Sequence, residues 1–180
     1  MRELSLHILD IVQNSLTAQA QNIEIAIIEN TVEDKMIVVI KDDGRGMDEK
    51  TLNKVMDPFY TTRTTRKVGL GLPLLSANAQ ACGGSVKVKS ATGKGTTVEV
   101  VFKHSHIDRA PLGDMPSTLV SLISGSPEVN FFYVHKYNDK EFRVNTIEIK
   151  ENLLGLPLNH PDVLIWLQDF FREKEKETNG

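Results

Sequence analysis

The spacing of apolar residues changes along the chain, and each spacing predicts a different element. Over residues 3–20 apolar side chains recur every three or four positions, which predicts an amphipathic helix. Residues 23–27 alternate isoleucine with other residues, as in a half-buried strand. The continuous apolar run over 36–40 is typical of a buried strand, which is predicted over 36–41. The chain therefore begins with a helix and two strands that a polar turn connects.

Helices and strands continue to alternate over the following residues. A short helix is predicted over 48–56, and Gly69-Leu70-Gly71-Leu72-Pro73 opens a longer one. The segment 59–67 between them is rich in threonine and cations and has no apolar period, which favours a loop. Two more strands are predicted over 86–89 and 97–102.

These patterns divide the chain into a first α+β domain over 1–103, a linker over 104–114 and a small α+β module over 115–180. The module is predicted to contain a helix, a β-hairpin with strands over 129–137 and 141–149, and a last helix. Because about 70 residues are marginally stable alone, we expect the module to pack on the first domain or on a partner.

The last helix has one apolar face and a charged end. We expect Trp166 to belong to its buried face rather than to an exposed contact. The alternating charges over 172–177 favour a solvated helix end that frays. The apolar face consists of Val163, Leu164, Trp166, Leu167 and Phe170.

Composition narrows the class of protein. A net charge of -3 gives no general electrostatic reason to bind nucleic acid or an anionic membrane. Cys82 is the only cysteine, so no internal disulfide can form, and a reducing cytoplasm fits. The N-terminus has no signal-peptide core, and no apolar run is long enough to span a bilayer. We therefore expect a cytoplasmic protein.

The stretch Asp42-Asp43-Gly44-Arg45-Gly46-Met47 is the first candidate for chemistry. It follows a predicted buried strand, and its glycines let a flat ligand approach the backbone closely. The carboxylate of Asp42 could accept a hydrogen bond from an exocyclic amine. A tight turn between a strand and a helix explains the same residues, because glycine and aspartate are typical of turns.

Two further groups of residues suit an anion and a hard cation. Asp10 and Asn14 lie four apart on one helix face, where an amide oxygen could bind magnesium and a carboxylate could act as a base. Two solvated surface residues are the alternative. The glycines before Pro73 leave the first N–H groups of a helix free to bind an anion.

Five motifs, taken in chain order, resemble the N, G1, F, G2 and G3 boxes of the gyrase, heat-shock chaperone, histidine kinase and mismatch-repair ATPase superfamily. The resemblance covers about residues 3–103. It implies the Bergerat fold, a two-layer α/β sandwich in which helices cover one face of a mixed, mostly antiparallel sheet. The matching residues are Asp10 with Asn14, Asp42-x-Gly44-x-Gly46-Met47, Pro58-Phe59 with Thr61-Thr62, Gly69-Leu70-Gly71-Leu72, and Gly93-Lys94-Gly95-Thr96-Thr97.

The resemblance also implies a role for each matching residue. Asp42 would accept the adenine amino group, and Thr96 would lie beside it. Asn14 would bind Mg²⁺ between the phosphates, and Asp10 would be the catalytic residue. Residues 59–68 would form a lid over ATP. The implied ATP-binding set is Asn14, Ala18, Asp42, Gly44, Gly46, Met47, Phe59, Thr61, Thr62, Gly69, Leu70, Gly71, Leu72 and Thr96.

The motifs combine features of two subfamilies. The segments around Phe59 and Gly69 look most like sensor histidine kinases, whereas Asp10 stands where mismatch-repair ATPases and serine kinases carry glutamate. No acceptor-histidine segment precedes the first helix, so the acceptor of a kinase would lie on another chain. We therefore expect ATP, Mg²⁺ and an unidentified protein partner, with a homodimer left open. A kinase acting in trans and a nucleotide-switched binding module or slow ATPase are the two hypotheses.

Overall fold

A computed structural model describes residues 2–57 and 71–179 of the chain. Its first part contains α1 (Leu4–Thr17), β1 (Asn22–Asn30), β2 (Lys35–Asp42), α2 (Glu49–Val55), α3 (Gly71–Ala81), β3 (Ser85–Ser90) and β4 (Thr96–Lys103). The remaining elements are α4 (Met115–Gly125), β5 (Asn130–Tyr137), β6 (Lys140–Asn145), α5 (Thr146–Glu151) and α6 (Pro161–Asn179). Within these described ranges, no helix combines the length and the apolar character that crossing a membrane requires.

The six strands of the described ranges form one sheet in the order β3-β4-β2-β1-β5-β6. Four of the neighbouring pairs are antiparallel, and only β1 and β5 run parallel. The prediction of a mixed, mostly antiparallel sheet in an α+β fold is therefore confirmed. The helices pack in the order α3, α1, α4 and α6, which follows the order of the strands beneath them.

The register of the sheet decides which side chains share a face. Asp42 lies opposite Ile23 on β1 and opposite Thr96 on β4, and Thr96 lies opposite Ser90 on β3. The next row on the same face contains Ile25, Ile40 and Val98, all buried under the helices. The polar row therefore ends a buried apolar face, where a cleft can open beside α1.

The C-terminal elements extend the same sheet. β5 pairs with β1 along its length, from Asn22 opposite Asn130 to Glu29 opposite Tyr137. The segment before α4 also holds the start of α1, because Leu4 N donates to the carbonyl oxygen of Pro111 over 2.9 Å. Buried residues of α1, the central strands, α4, β5 and α6 form one hydrophobic cluster.

The predicted second strand of the hairpin, over 141–149, is too long. β6 ends at Asn145, whose Oδ1 accepts a hydrogen bond from Ile147 N and so caps α5. The hydroxyl of Thr146 is buried and accepts a hydrogen bond from Phe131 N over 2.9 Å. The alternation of apolar residues after Asn145 looks like a strand, but these side-chain hydrogen bonds turn the chain into a helix.

Two expectations for the last helix are also wrong. The charged end is not fully solvated, because Glu175 and Thr178 are only 6% and 4% exposed. Trp166 is 52% exposed and stacks on the ring of Phe170 instead of filling the core. The core positions of α6 are taken by Val163, Leu167 and Phe171.

Glu175 is buried because it belongs to a polar network that ties α6 to the sheet. Glu175 Oε2 lies 2.6 Å from His135 Nδ1, and its Oε1 accepts a hydrogen bond from Tyr133 Oη over 2.6 Å. His135 Nε2 lies 2.8 Å from Glu29 Oε1, and His104 Nε2 lies 2.8 Å from Glu29 Oε2. Burial lowers the pKa of His135, but the two glutamates more than offset this and raise it to about 9.

Candidate nucleotide-binding site

A cleft of about 500 Å³ opens between α1, α2, the first turn of α3 and the ends of β2 and β4. Its apolar surface includes Ile11, Ile40 and Val98, so a flat apolar ring can be covered on the side of the sheet. The cleft volume lies within the roughly 300–1,000 Å³ that ligand pockets occupy. The sequence-predicted site residues that line it are Asn14, Ala18, Asp42, Gly46, Met47, Leu72 and Thr96.

Asp42 is held in one orientation at the end of β2. It is 8% exposed, and its Oδ2 accepts a hydrogen bond from Ser15 Oγ over 2.6 Å. Its Oδ1 accepts a second hydrogen bond from Gly44 N over 2.9 Å. A carboxylate oxygen can accept more than one hydrogen bond, so the fixed group can still accept one from a ligand amine.

Ser15 is a site residue that the sequence analysis missed. It is 3% exposed, lines the cleft and directly follows Asn14 on α1. A buried serine in a helix commonly bonds to the carbonyl oxygen four residues back, so its sequence position alone gives no sign of a long-range partner. Here that bond, to Ile11 O, is 3.4 Å long, and the bond to Asp42 is much shorter.

The glycine loop after β2 is closely packed and leaves no room for larger residues. Gly46 has φ of +69°, and a Cβ placed there would lie 2.0 Å from the carbonyl oxygen of Ala91. A Cβ at Gly95 would lie 1.9 Å from the carbonyl oxygen of Asp42. Gly44 sits behind the cleft, where a Cβ would lie 3.0 Å from that of Ala18. The turn before β4 therefore rests directly on the loop that carries Asp42.

Ser90 connects this loop to Thr96. Its Oγ accepts a hydrogen bond from Met47 N over 2.8 Å and lies 2.8 Å from Thr96 Oγ1. Thr96 is therefore fixed on the same face as Asp42, directly across the β2–β4 pair. The two polar side chains form one end of the cleft, and Met47 lies beside them.

Asn14 lies on the wall of the cleft that α1 provides. Within residues 2–57 and 71–179, its side chain makes no hydrogen bond, so its amide oxygen is available to a ligand. An amide oxygen is a suitable ligand for Mg²⁺, which binds few protein groups and keeps oxygens of water or phosphate. The residues present therefore fit ATP with Mg²⁺: a fixed carboxylate, an apolar slot and an amide oxygen.

Asp10 is near the cleft but does not line it in the part of the chain that the structure describes. Its Oδ2 pairs with Arg2 Nη2 over 3.1 Å, and both side chains are partly exposed, at 39% and 45%. A Cβ at Gly71, the first residue of α3, would lie 3.3 Å from that of Asp10. The carboxylate thus lies beside the start of α3 and is paired with a cation of the same chain.

The remaining sequence-predicted site residues lie outside the described residues. The segment predicted to form a lid, residues 59–68, also lies outside the described residues. Leu72, which follows them on α3, lines the cleft. The residues concerned are Phe59, Thr61, Thr62, Gly69 and Leu70.

Comparisons with known proteins give consistent matches. The family model described as "Histidine kinase-, DNA gyrase B-, and HSP90-like ATPase" matches residues 2–106. Sporulation kinase C of Bacillus subtilis is 29% identical over 94 residues, which cover 52% of this chain and 22% of that protein. Sensor histidine kinase WalK of the same organism is 34% identical over 96 residues, which cover 49% of this chain and 16% of that protein.

A solved structure described as the N-terminal domain of a DNA repair protein aligns with a TM-score of 0.53 and 17% identity. The alignment covers 80% of this chain and 52% of that one. At this identity the likeness concerns the fold alone. Its coverage exceeds that of the two kinases, so the fold match extends beyond the segment that they share with this chain.

Proposed function

Because the chain belongs to the histidine kinase-, DNA gyrase B- and HSP90-like ATPase family, we propose that it binds ATP with Mg²⁺ in the cleft and phosphorylates a partner protein in trans. The observation that carries this proposal is the buried carboxylate of Asp42, fixed by Ser15 and Gly44 beside an apolar slot. A carboxylate held in this way selects a base with an exocyclic amino group, as adenine has.

In this proposal, some residues bind the nucleotide and one takes part in the chemistry. Asp42 and Thr96 would recognise the base, and Asn14 would hold Mg²⁺, which neutralises charge on the phosphates. During transfer the bond between the γ-phosphorus and the ADP oxygen breaks, and a bond to the acceptor atom forms. An acceptor hydroxyl would lose its proton to Asp10, whereas a histidine acceptor attacks with a free lone pair and needs no base.

Nucleotide binding by an Asp42→Asn variant tests the base-recognition step. The amide keeps the shape but presents an NH₂ donor or a weaker acceptor, so we expect ATP to bind at least about tenfold more weakly, as for the loss of one buried charged hydrogen bond. Isothermal titration calorimetry gives the affinity. Asp139→Asn, in the exposed turn between β5 and β6, removes the same charge and should bind ATP like the wild type. Equal affinities for all three proteins would refute the assignment.

Incubation with γ-labelled ATP and a cell lysate tests the transfer step. Label on a second protein supports a kinase, and its stability in acid separates a hydroxyl ester from the acid-labile phosphohistidine. Asp10→Asn should abolish labelling of a hydroxyl and leave labelling of a histidine largely unchanged, because only the hydroxyl needs a base. Release of inorganic phosphate without any labelled protein would contradict the kinase proposal.

The Arg2–Asp10 ion pair favours a second candidate, a nucleotide-switched binding module with slow hydrolysis. Asp10 Oδ2 already contacts Arg2 Nη2 over 3.1 Å, so this oxygen faces a cation of its own chain and not the hydroxyl of an acceptor. Under this alternative, Arg2→Gln should raise the rate of ATP hydrolysis in a single-turnover assay, and no protein should be labelled. If Arg2→Gln leaves the rate unchanged, the ion pair does not affect hydrolysis, and its support for this alternative is lost.

A further inference from the structure

The start of α6 and the loop before it expose large apolar side chains. Ile165 and Trp166 are 64% and 52% exposed, and Leu154 and Leu156 on the loop are 96% and 49% exposed. Leu158, between the loop and the helix, is buried, so the loop is anchored close to the first turn of α6. Four large apolar side chains are thus exposed within 13 residues of the chain. Exposed apolar residues that lie together on a folded protein typically mark an interaction site.

The exposed tryptophan is held in place by packed aromatic rings. Trp166 stacks on Phe170 with 5.1 Å between ring centroids and 10° between planes. Phe170 in turn contacts Phe142 on β6 and Phe171, at centroid distances of 6.0 Å each, and Phe171 is fully buried. The indole therefore presents a fixed face to solvent, which reduces the conformational entropy that a partner must remove on binding.

The loop before α6 contains a tight turn, in which Leu156 N donates to the carbonyl oxygen of Leu153 over 3.0 Å. Leu154 has φ of +51°, in a region that residues with a Cβ rarely adopt, and Gly155 follows with φ of +92°. Such conformations persist where the surrounding structure holds them, and they often occur at functional sites. The strained turn presents a leucine almost completely to water instead of turning it inward.

Acidic residues surround the aromatic face along α6. Asp162, Asp169 and Glu173 lie four before, three after and seven after Trp166, so they share its side of the helix, and all three are exposed. Arg172 is also exposed, seven residues after Ile165. Between Asp162 and Glu173, α6 thus carries three negative charges and one positive charge, and the next basic residue, Lys174, is already paired with Glu177 over 2.9 Å.

We propose that the Trp166 surface, formed by Ile165, Trp166 and Phe170 with Leu154 and Leu156, docks an apolar segment of a partner protein that is flanked by lysine or arginine. Tryptophan is among the residues that most often dominate binding energy at interfaces, and a rim of opposite charge gives specificity and speeds association. The surface lies over β5 and β6, at the end of the sheet away from the cleft. The proposal therefore does not depend on the proposed function.

Fluorescence can test this surface without labelling the protein, because Trp166 is the only tryptophan. The probe is a synthetic amphipathic helix with leucine on one face and lysine on the other. Two companion peptides carry glutamate in place of lysine, or serine in place of leucine. We expect a saturable blue shift of Trp166 emission with the leucine–lysine peptide only. A response to the serine–lysine peptide of equal size, or no response to any peptide, would overturn the proposal.

Reversing the charge of two acidic residues beside Trp166 tests whether they select a basic partner. The double variant Asp169→Lys with Glu173→Lys should bind the leucine–lysine peptide at least about tenfold more weakly and gain affinity for the leucine–glutamate peptide. Glu33→Lys with Glu128→Lys makes the same change of net charge at exposed positions away from α6 and should behave like the wild type. If both double variants lose affinity equally, net charge alone explains binding and the proposal fails.

Two further measurements separate the remaining outcomes. Trp166→Ala should weaken binding of a dye-labelled leucine–lysine peptide by about 30-fold or more, as for an interface hot spot, while thermal unfolding stays near that of the wild type. A blue shift that grows with protein concentration in the absence of peptide, together with dimers in analytical ultracentrifugation, would mean that a second copy covers the surface. That result would overturn the proposal of a partner segment.

Discussion

At the scale of single residues, the hydrogen bonds of Asp42 determine how its carboxylate is oriented in the cleft. The hydroxyl of Ser15 donates to Asp42 Oδ2 over 2.6 Å, and both groups are buried. Without this donor the carboxylate keeps one fixed bond, from Gly44 N, and can rotate about its Cβ–Cγ bond. We therefore propose that Ser15 is a positioning residue, which would act on a ligand through Asp42.

We predict that Ser15→Ala weakens ATP binding about tenfold, since a lost hydrogen bond to a buried charged group costs roughly 1.5 kcal/mol or more. Its preference for ATP over GTP should fall as well, because the base-reading group is less well oriented. Competition titration with both nucleotides measures the two effects. Ser121→Ala, at an exposed position of α4, is the matched control. Loss of affinity without any loss of preference would show that Ser15 supports the fold and does not position Asp42.

Substituting two glycines near the cleft by alanine can distinguish the cost of backbone strain from the cost of a steric clash. Gly46 and Gly93 have φ of +69° and +77°, but only Gly46 has an atom where a Cβ would lie, 2.0 Å from Ala91 O. We predict that Gly93→Ala costs roughly 1–2 kcal/mol of unfolding free energy, which is the price of the left-handed conformation. Gly46→Ala should cost clearly more, because the Ala91 backbone must also move. Urea unfolding gives both values, and equal costs would contradict the contact.

From the sequence, the positions of residues at strand ends were easier to predict than the partners of individual side chains. Asp42 could be assigned to a ligand site because a buried strand and a glycine loop fix where it lies, and the family resemblance added Met47 and Thr96. The partner of Ser15 and the pairing of Asp10 with Arg2 could not be predicted. Both depend on distances across the fold, which the periodicity of a helix does not contain.

Among the elements, α6 shows most clearly how a polar network can replace apolar packing. Its charged end carries Glu175, which a pattern of alternating lysine and glutamate assigns to solvent. The residue is buried because Tyr133 and His135 on β5 lie beneath it, and Glu29 on β1 completes the network. The sequence could not indicate this, because the four residues lie on three separate elements.

This network predicts how stability depends on pH. The folded-state pKa of His135, about 9, lies above its usual 6.5, so its contribution is complete below about pH 6.5 and is lost as the pH rises to 9. Burial raises the pKa of Glu29, but hydrogen bonds with His135 and His104 more than offset this, so the pKa is lowered. Its contribution is present above its usual value of 4.5 and is lost as the pH falls further. We therefore predict a stability maximum in mildly acidic buffer and a decline towards pH 9.

Replacing the histidine tests the network directly. His135→Gln leaves the buried Glu29 and Glu175 without their shared cation, so we predict a loss of roughly 3–5 kcal/mol near pH 6. The loss should shrink at pH 9, where the wild-type imidazole is itself losing its proton. Urea unfolding at both pH values measures the difference. His160→Gln, at a partly exposed position before α6, should show no such pH-dependent loss. A loss independent of pH would mean that His135 contributes only by packing.

On the scale of the whole molecule, the sequence patterns predict two units, whereas the strands of both units form one sheet. The helix–hairpin–helix order after residue 114 gives no sign that β5 pairs in parallel with β1, since parallel neighbours are distant in the chain. Removing β5 and β6 would leave the backbone groups along that edge of β1 unpaired, on a strand that carries the apolar residues Ile23, Ile25 and Ile27. The first unit would then present a long apolar edge strand, which favours aggregation.

We predict that the full chain unfolds in one cooperative transition, since one hydrophobic cluster joins both units. Trp166 fluorescence reports the last helix, and far-UV circular dichroism reports all elements, so their urea midpoints should coincide within error. The midpoint of the fluorescence transition should also rise when ADP is added, although the nucleotide cleft is at the other end of the sheet, because a ligand that binds only the folded state stabilises every part of a cooperative unit. Separate midpoints, or a fluorescence transition that ADP leaves unchanged while it shifts the dichroism, would mean that residues 115–180 unfold independently despite the shared sheet.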